Sequence, residues 1–233
     1  MNQTIGIWGD SIMRGVVFDP VKCKYSIEKD SAAELFSRQF SIPIRNYSRF
    51  GCTAPRAYPA MIKALTGAVP DWILLEFGGN DCDYNWREVS ENPSLPHLPN
   101  TPVERFGEVF RNMIRAVRKS GVKPVTMSLP PIHAERYFDF ITSDNGVDPI
   151  GVLEFLGDKQ LIYRRQELYS NLVCRIAKES DVPIVDVRSA FLEKEHLADF
   201  LCMDGIHPNQ KGQRLIQEVF ATHYRALTIQ RDS

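Results

Sequence analysis

"DWILLEFGGND", residues 71–81, is the stretch on which the fold turns. Residues 71–77 form a continuous apolar run that Gly78-Gly79 stops. A run without apolar–polar alternation predicts a strand covered on both faces, as in a parallel sheet with helices above and below. Moving outward, four further segments read as strands. They are "TIGIW" (4–8), ending at Gly9, the weaker "PIRNYS" (43–48), "KPVTMSL" (123–129), stopped by Pro130-Pro131, and "VPIVDV" (182–187).

Helical patterns fall between these runs. In residues 101–121 the spacing makes Thr101 the cap, Pro102 the first helical residue and Glu104 the third member of a capping box. Val103, Phe106, Phe110, Met113 and Val117 then lie on one stripe, and Gly121 ends the helix. Further helices are expected at about 159–179, after Asn209, and in "APRAYPAMIKAL" (54–65), where Pro59 distorts the interior. Strands alternating with helices imply β-α-β units, hence an α/β protein with a parallel sheet between two helical layers. Neither linker nor repeat divides the 233 residues, so a single domain over 1–233 is expected. Two stretches, about 83–100 and 130–158, read as irregular insertions.

Bulk properties exclude several classes. Charged residues make up 24% and nearly cancel, leaving a formal net charge of −1, without the basic excess of a nucleic-acid binder. No window supplies the roughly 18 apolar residues of a membrane span. The start "MNQTIGIWGDS" lacks the features of a signal peptide, and five cysteines without a C-x-x-C pair suit a reducing compartment. A cytoplasmic protein is expected.

In an open parallel sheet, ligands bind beyond the carboxyl ends of the strands. The residues just past each strand are therefore decisive. The first strand leads into Ser11 in "GDSI", the second into Gly51 in "RFGCT", the third into Asn80 in "GGND". After the last comes "DGIHPN" (204–209), with Asp204 and His207. A hydroxyl, an uncovered backbone N–H, a carboxamide and an Asp–His pair make a kit for acyl transfer. His207 would take the serine proton, Asp204 would hold the second ring nitrogen, and Ser11 N–H, Gly51 N–H and the Asn80 side chain would receive the oxyanion.

The four blocks, in this order over residues 9–212, resemble those of the SGNH hydrolases, the GDSL esterase/lipase family, with Ile12 where leucine is usual. The resemblance implies a three-layer α/β/α, flavodoxin-like fold and a serine enzyme without metal or other cofactor. It assigns Ser11 as nucleophile, Gly51 and Asn80 to the oxyanion hole, and Asp204 and His207 to the triad. The expected partner is a small-molecule ester, with acetyl or another short acyl group on a saccharide or small metabolite. An acyl-thioesterase or lysophospholipase with the same triad is the alternative. A non-catalytic binding module of the same fold is a third reading.

Singly, each residue has a plainer explanation: Ser11 as a helix cap, Asn80 as a turn residue, Asp204 as a loop acid, His207 as a metal ligand. Jointly they favour catalysis. Asp10 and Asp81 read as loop braces. His133, after the fourth strand, reads as substrate wall or structural support. His97, His196 and His223 read as surface or packing residues. Cys52, Cys82 and Cys202 lack the short paired spacings of zinc ligands and read as packing. Tyr84 and Trp86, with Tyr137, Phe138, Phe140 and Phe155, fall in the two irregular stretches, where they either fill the insertions or wall the substrate.

Overall fold

A computed structural model describes residues 3–143 and 146–229. Five parallel strands form its central sheet: β1 (Ile5–Gly9), β4 (Ile44–Asn46), β5 (Trp72–Glu76), β6 (Lys123–Met127) and β7 (Ile184–Val185), in the order β4-β1-β5-β6-β7. The apolar run at 71–77 supplies the middle strand, with Leu74 registered against Ile7 on one side and Val125 on the other. Successive side chains leave a strand on opposite faces. Ile73, Leu75 and Phe77 accordingly pack against α3 (Ala54–Ala64), α5 (Val103–Lys119) and α8 (Gln160–Glu179). Leu74 packs on the other face, with α2 (Ala32–Phe40), α9 (Val187–Leu192) and α10 (Gln210–Ile229). The layers are α/β/α, as expected.

The α5 stripe forms one continuous buried edge, with Phe106, Phe110, Met113 and Val117 fully enclosed. Its capping box does not form. Pro102 holds the N-cap position without a side-chain bond, and the helix begins at Val103. The Thr101 hydroxyl turns inward to Asp81, whose carbonyl also accepts the Thr101 N–H at 2.9 Å. Satisfying a buried carboxylate outweighs capping a helix end that water can reach.

The two irregular stretches are not structureless. The first holds α4 (Trp86–Glu91), capped by Asn85; the second holds α6 (Ala134–Ile141), capped by His133, and α7 (Pro149–Leu156), capped by Asp148. Each helix is too short to show a full apolar period, so its pattern is weak in the sequence. Trp86, Val89, Ile132, Tyr137, Phe138, Val152, Leu156 and Ile162 close a small separate core between them. A Cβ on Gly151 would meet the Ser90 carbonyl oxygen at 2.3 Å, so glycine sets how closely α7 approaches α4. Also outside the strands and helices expected are an antiparallel hairpin, β2 (Val16–Asp19) with β3 (Lys24–Ile27), the four-residue helix α1 (Ser11–Arg14) and the helix α2.

Candidate active site

Ser11 sits where β1 gives way to α1. Asp10 caps that helix, its Oδ1 accepting Ile12 N–H at 2.9 Å, and Gly15 ends it in the left-handed conformation. The turn holds the Ser11 hydroxyl at the carboxyl edge of the sheet, where it lines a cleft.

His207 reaches the same point from the loop before α10. Its Nε2 lies 2.8 Å from Ser11 Oγ, and its Nδ1 lies 2.6 Å from Asp204 Oδ2. The tautomer with Nδ1–H toward the carboxylate leaves the Nε2 lone pair facing the serine hydroxyl. Asp204 Oδ1 accepts the N–H groups of Ile206 and His207, both at 3.1 Å. Burial raises the Asp204 pKa, but the His207 hydrogen bond, the ring charge and the two backbone donors outweigh it and hold the carboxyl below its ordinary 3.8. Gly205 makes the tight loop possible: its φ is +76°, and a Cβ would strike His133 O and Tyr137 N at 2.7 Å. His133 N–H donates to Gly205 O at 2.8 Å, so the second insertion braces the Asp–His loop.

Among the described residues, Ser11 N–H, Gly51 N–H and one hydrogen of the Asn80 carboxamide have no acceptor, and Ser11 and Asn80 line the cleft. The first is the orphan N–H of a helix start. Gly51 has φ +64° and open space where a Cβ would stand, so the backbone conformation, not crowding, favours glycine there. The other Asn80 amide hydrogen goes to Asp10 Oδ2 at 2.9 Å. Beneath this pair lies Glu76, fully buried, its Oε2 accepting Asp10 N–H at 3.1 Å and its Oε1 without a partner. Burial and then the Asp10 charge drive the Glu76 pKa well above its ordinary value. Asp81 braces Ala54 N–H, and burial raises it from 3.8 to about 7.

The cleft has a volume of about 240 Å³. On the His207 side its wall is aromatic: the Tyr25 ring lies 5.1 Å from the imidazole centroid and Phe50 stacks at 6.0 Å. On the opposite side the wall includes Tyr84, Trp86, Tyr137, Leu156, Ile162 and Arg165. Trp86 is 8% exposed, and its Nε1 donates to Asp83 and to the Tyr137 hydroxyl. It anchors the insertion and offers the cleft little more than an edge. His133, expected at the wall, lies outside it. Its Nδ1 accepts Arg136 N–H at 3.4 Å and sits 3.4 Å from Glu135. Cys82 lines the cleft with its thiol on Gly79 O, whereas Cys52 turns to Thr53 O and Cys202 accepts Phe18 N–H. Among the described residues, no group of three or more His, Cys, Asp or Glu side chains is arranged to hold a metal ion.

Tyr25, Phe50, Glu76 and Arg165 are site residues that the sequence alone did not single out. Glu76 carried a signal, an acid inside an apolar run. Tyr25 carried the alternation of "KYSI" after a turn at Asp19-Pro20. The other two, Phe50 and Arg165, join the site only through tertiary packing.

Fold and sequence together define a class: the chain belongs to the GDSL-like lipase/acylhydrolase family, whose sequence model matches residues 7–215. It is similar to the GDSL esterase/lipase WDL1 of Oryza sativa subsp. japonica, 22% identical over 191 residues that cover 80% of this chain and 66% of that one. It is also similar to thioesterase 1/protease 1/lysophospholipase L1 of Escherichia coli K12, 23% identical over 193 residues, 81% of this chain and 70% of the relative. Among solved structures, the lipase/acylhydrolase of Enterococcus faecalis superposes with a TM-score of 0.68 at 18% identity, over 96% of each chain.

Proposed function

We propose that the protein is a serine esterase that hydrolyses carboxylic esters of short acyl groups. The observation that carries this is the continuous hydrogen-bonded line from Ser11 Oγ through His207 to Asp204 Oδ2. In the first half-reaction Ser11 Oγ attacks the ester carbonyl carbon while His207 Nε2 takes its proton. The oxyanion is received by Ser11 N–H, Gly51 N–H and the Asn80 carboxamide. Collapse expels the alcohol, which leaves with the proton from His207. Water then attacks the acyl-serine with His207 again as base, and the acid departs.

The alcohol must lie beside His207, which protonates it. Tyr25, Phe50 and Phe140 ring that side, with Tyr25 5.0 Å from Phe50 and 6.3 Å from Phe140. Aromatic faces of this kind suit a sugar or other small ring-bearing alcohol. The cleft as a whole, shared by the alcohol and the acyl group, has about 240 Å³, which is small for a ligand pocket and favours a short acyl group over a long fatty chain. Five free cysteines suit the cytoplasm proposed as the site of action.

A series of p-nitrophenyl esters from acetyl to palmitoyl, with acetylated sugars beside them, tests this. Activity should peak at short acyl groups and vanish in Ser11→Ala. Preference for palmitoyl would favour the long-chain reading, and hydrolysis of no ester would favour a binding module.

A further inference from the structure

Arg165 stands on the acyl side of the cleft, on the inner face of α8. Its guanidinium carbon lies 4.6 Å from the Tyr84 ring centre and 5.2 Å from that of Phe155. Its Nη1 is buried without a hydrogen-bond partner. Among the described residues no carboxylate pairs with it. Of the neighbouring arginines, Arg164 pairs with Asp158 at the surface, and Arg188, which does not line the cleft, donates from Nη1 to Leu129 O and Gln166 Oε1 while its Nε and Nη2 also lack partners.

A half-buried cation without a counter-charge is costly, and burial lowers the Arg165 pKa from its ordinary value. An arginine nevertheless stays charged. Two ring faces hold the guanidinium, Nη1 is enclosed, and the unpartnered Nε and Nη2 are left for an acceptor. The walls between Arg165 and the serine edge, Leu129, Ile132, Leu156 and Ile162, are apolar. A short methylene spacer fits them; a polar one does not.

We infer that Arg165 is an anion-binding residue of the acyl subsite, and that the substrate is an ester of a short dicarboxylic acid whose free carboxylate pairs with it. This rests on the esterase reading. His207 fixes the orientation: the leaving alcohol takes the His207 wall, so the acyl group extends toward Arg165. A planar carboxylate can accept two parallel N–H bonds from the guanidinium edge.

The experiment compares monoethyl succinate with ethyl 4-methylpentanoate, in which an isopropyl group replaces the carboxylate, by pH-stat titration. The wild-type enzyme should favour the succinate half-ester by about ten- to hundredfold in kcat/KM. In Arg165→Met the ratio should fall below one, and free succinate should cease to act as a competitive inhibitor. Arg165→Gln is a second neutral variant should the methionine variant fold poorly, and the wild-type ratio stands by itself. An equal or higher rate on the neutral ester in the wild type overturns the inference while leaving the esterase reading intact. So does a succinate preference that survives both variants. Failure to hydrolyse either ester, with no covalent labelling of Ser11, removes the esterase reading and the inference with it.

Discussion

Ser11→Ala and His207→Ala should each lower kcat by orders of magnitude, and the double variant should be little worse than either. Groups acting through one proton transfer are strongly non-additive. Additive losses in steady-state kinetics would mean that they do not act as one unit. Asn80→Ala should lower kcat by ~10²–10³ with a much smaller change in KM, because an oxyanion donor acts on the transition state. A change confined to KM would make Asn80 a ground-state contact. Asp81 sets a pH prediction. Its raised pKa means that the folded chain holds a proton the unfolded chain releases. That contribution favours folding fully below about pH 3.8 and is lost as pH rises through about 7. Asp81→Asn should therefore show a shallower fall in urea midpoint between pH 4 and 7 than the wild type, and identical slopes would contradict the assignment. At this scale the sequence singled out, where chemistry and strand ends coincide, Ser11, Asp204 and His207, which hydrogen bonds join, and Asn80, which lines the same cleft. It was silent on Arg165 and Phe50, since an exposed-type side chain becomes part of a site only when distant segments fold over it.

Between residue and fold lie the short helices α4, α6 and α7, which wall the cleft and brace the Asp–His loop. Their cores depend on one another, and Trp86 is central to them through Asp83 and Tyr137. Trp86→Ala should cost about 3–5 kcal/mol in urea unfolding, the usual loss for emptying a buried aromatic site. A loss under about 1 kcal/mol would return Trp86 to the substrate-contact role expected from its position six residues beyond Asn80. These helices were hard to read because eight residues or fewer give little more than two turns, and periodicity needs more. The β2–β3 hairpin escaped for a different reason. It stands apart from the central sheet and alternates, unlike the continuous runs that marked the other strands. Its Tyr25 nevertheless packs edge-on to His207.

The architecture as a whole follows from a few strongly patterned segments. Five segments read as strands became the five sheet strands, although the second shrank to Ile44–Asn46 and the last to Ile184–Val185. Parallel strands buried on both faces leave little freedom in what they bury. The carboxyl edge of that sheet then brings together residues 196 positions apart in sequence, Ser11 and His207. The described helices include none long and apolar enough to cross a membrane. The central claim is that this edge holds a serine nucleophile activated by His207. Treatment with a fluorophosphonate, followed by intact-mass and peptide mass spectrometry, tests it most directly. The account predicts one covalent adduct, on Ser11, that is lost in Ser11→Ala and strongly slowed in His207→Ala, with thermal melts matching the wild type. A folded wild-type protein that takes up no label, or an adduct that persists in Ser11→Ala, would contradict it.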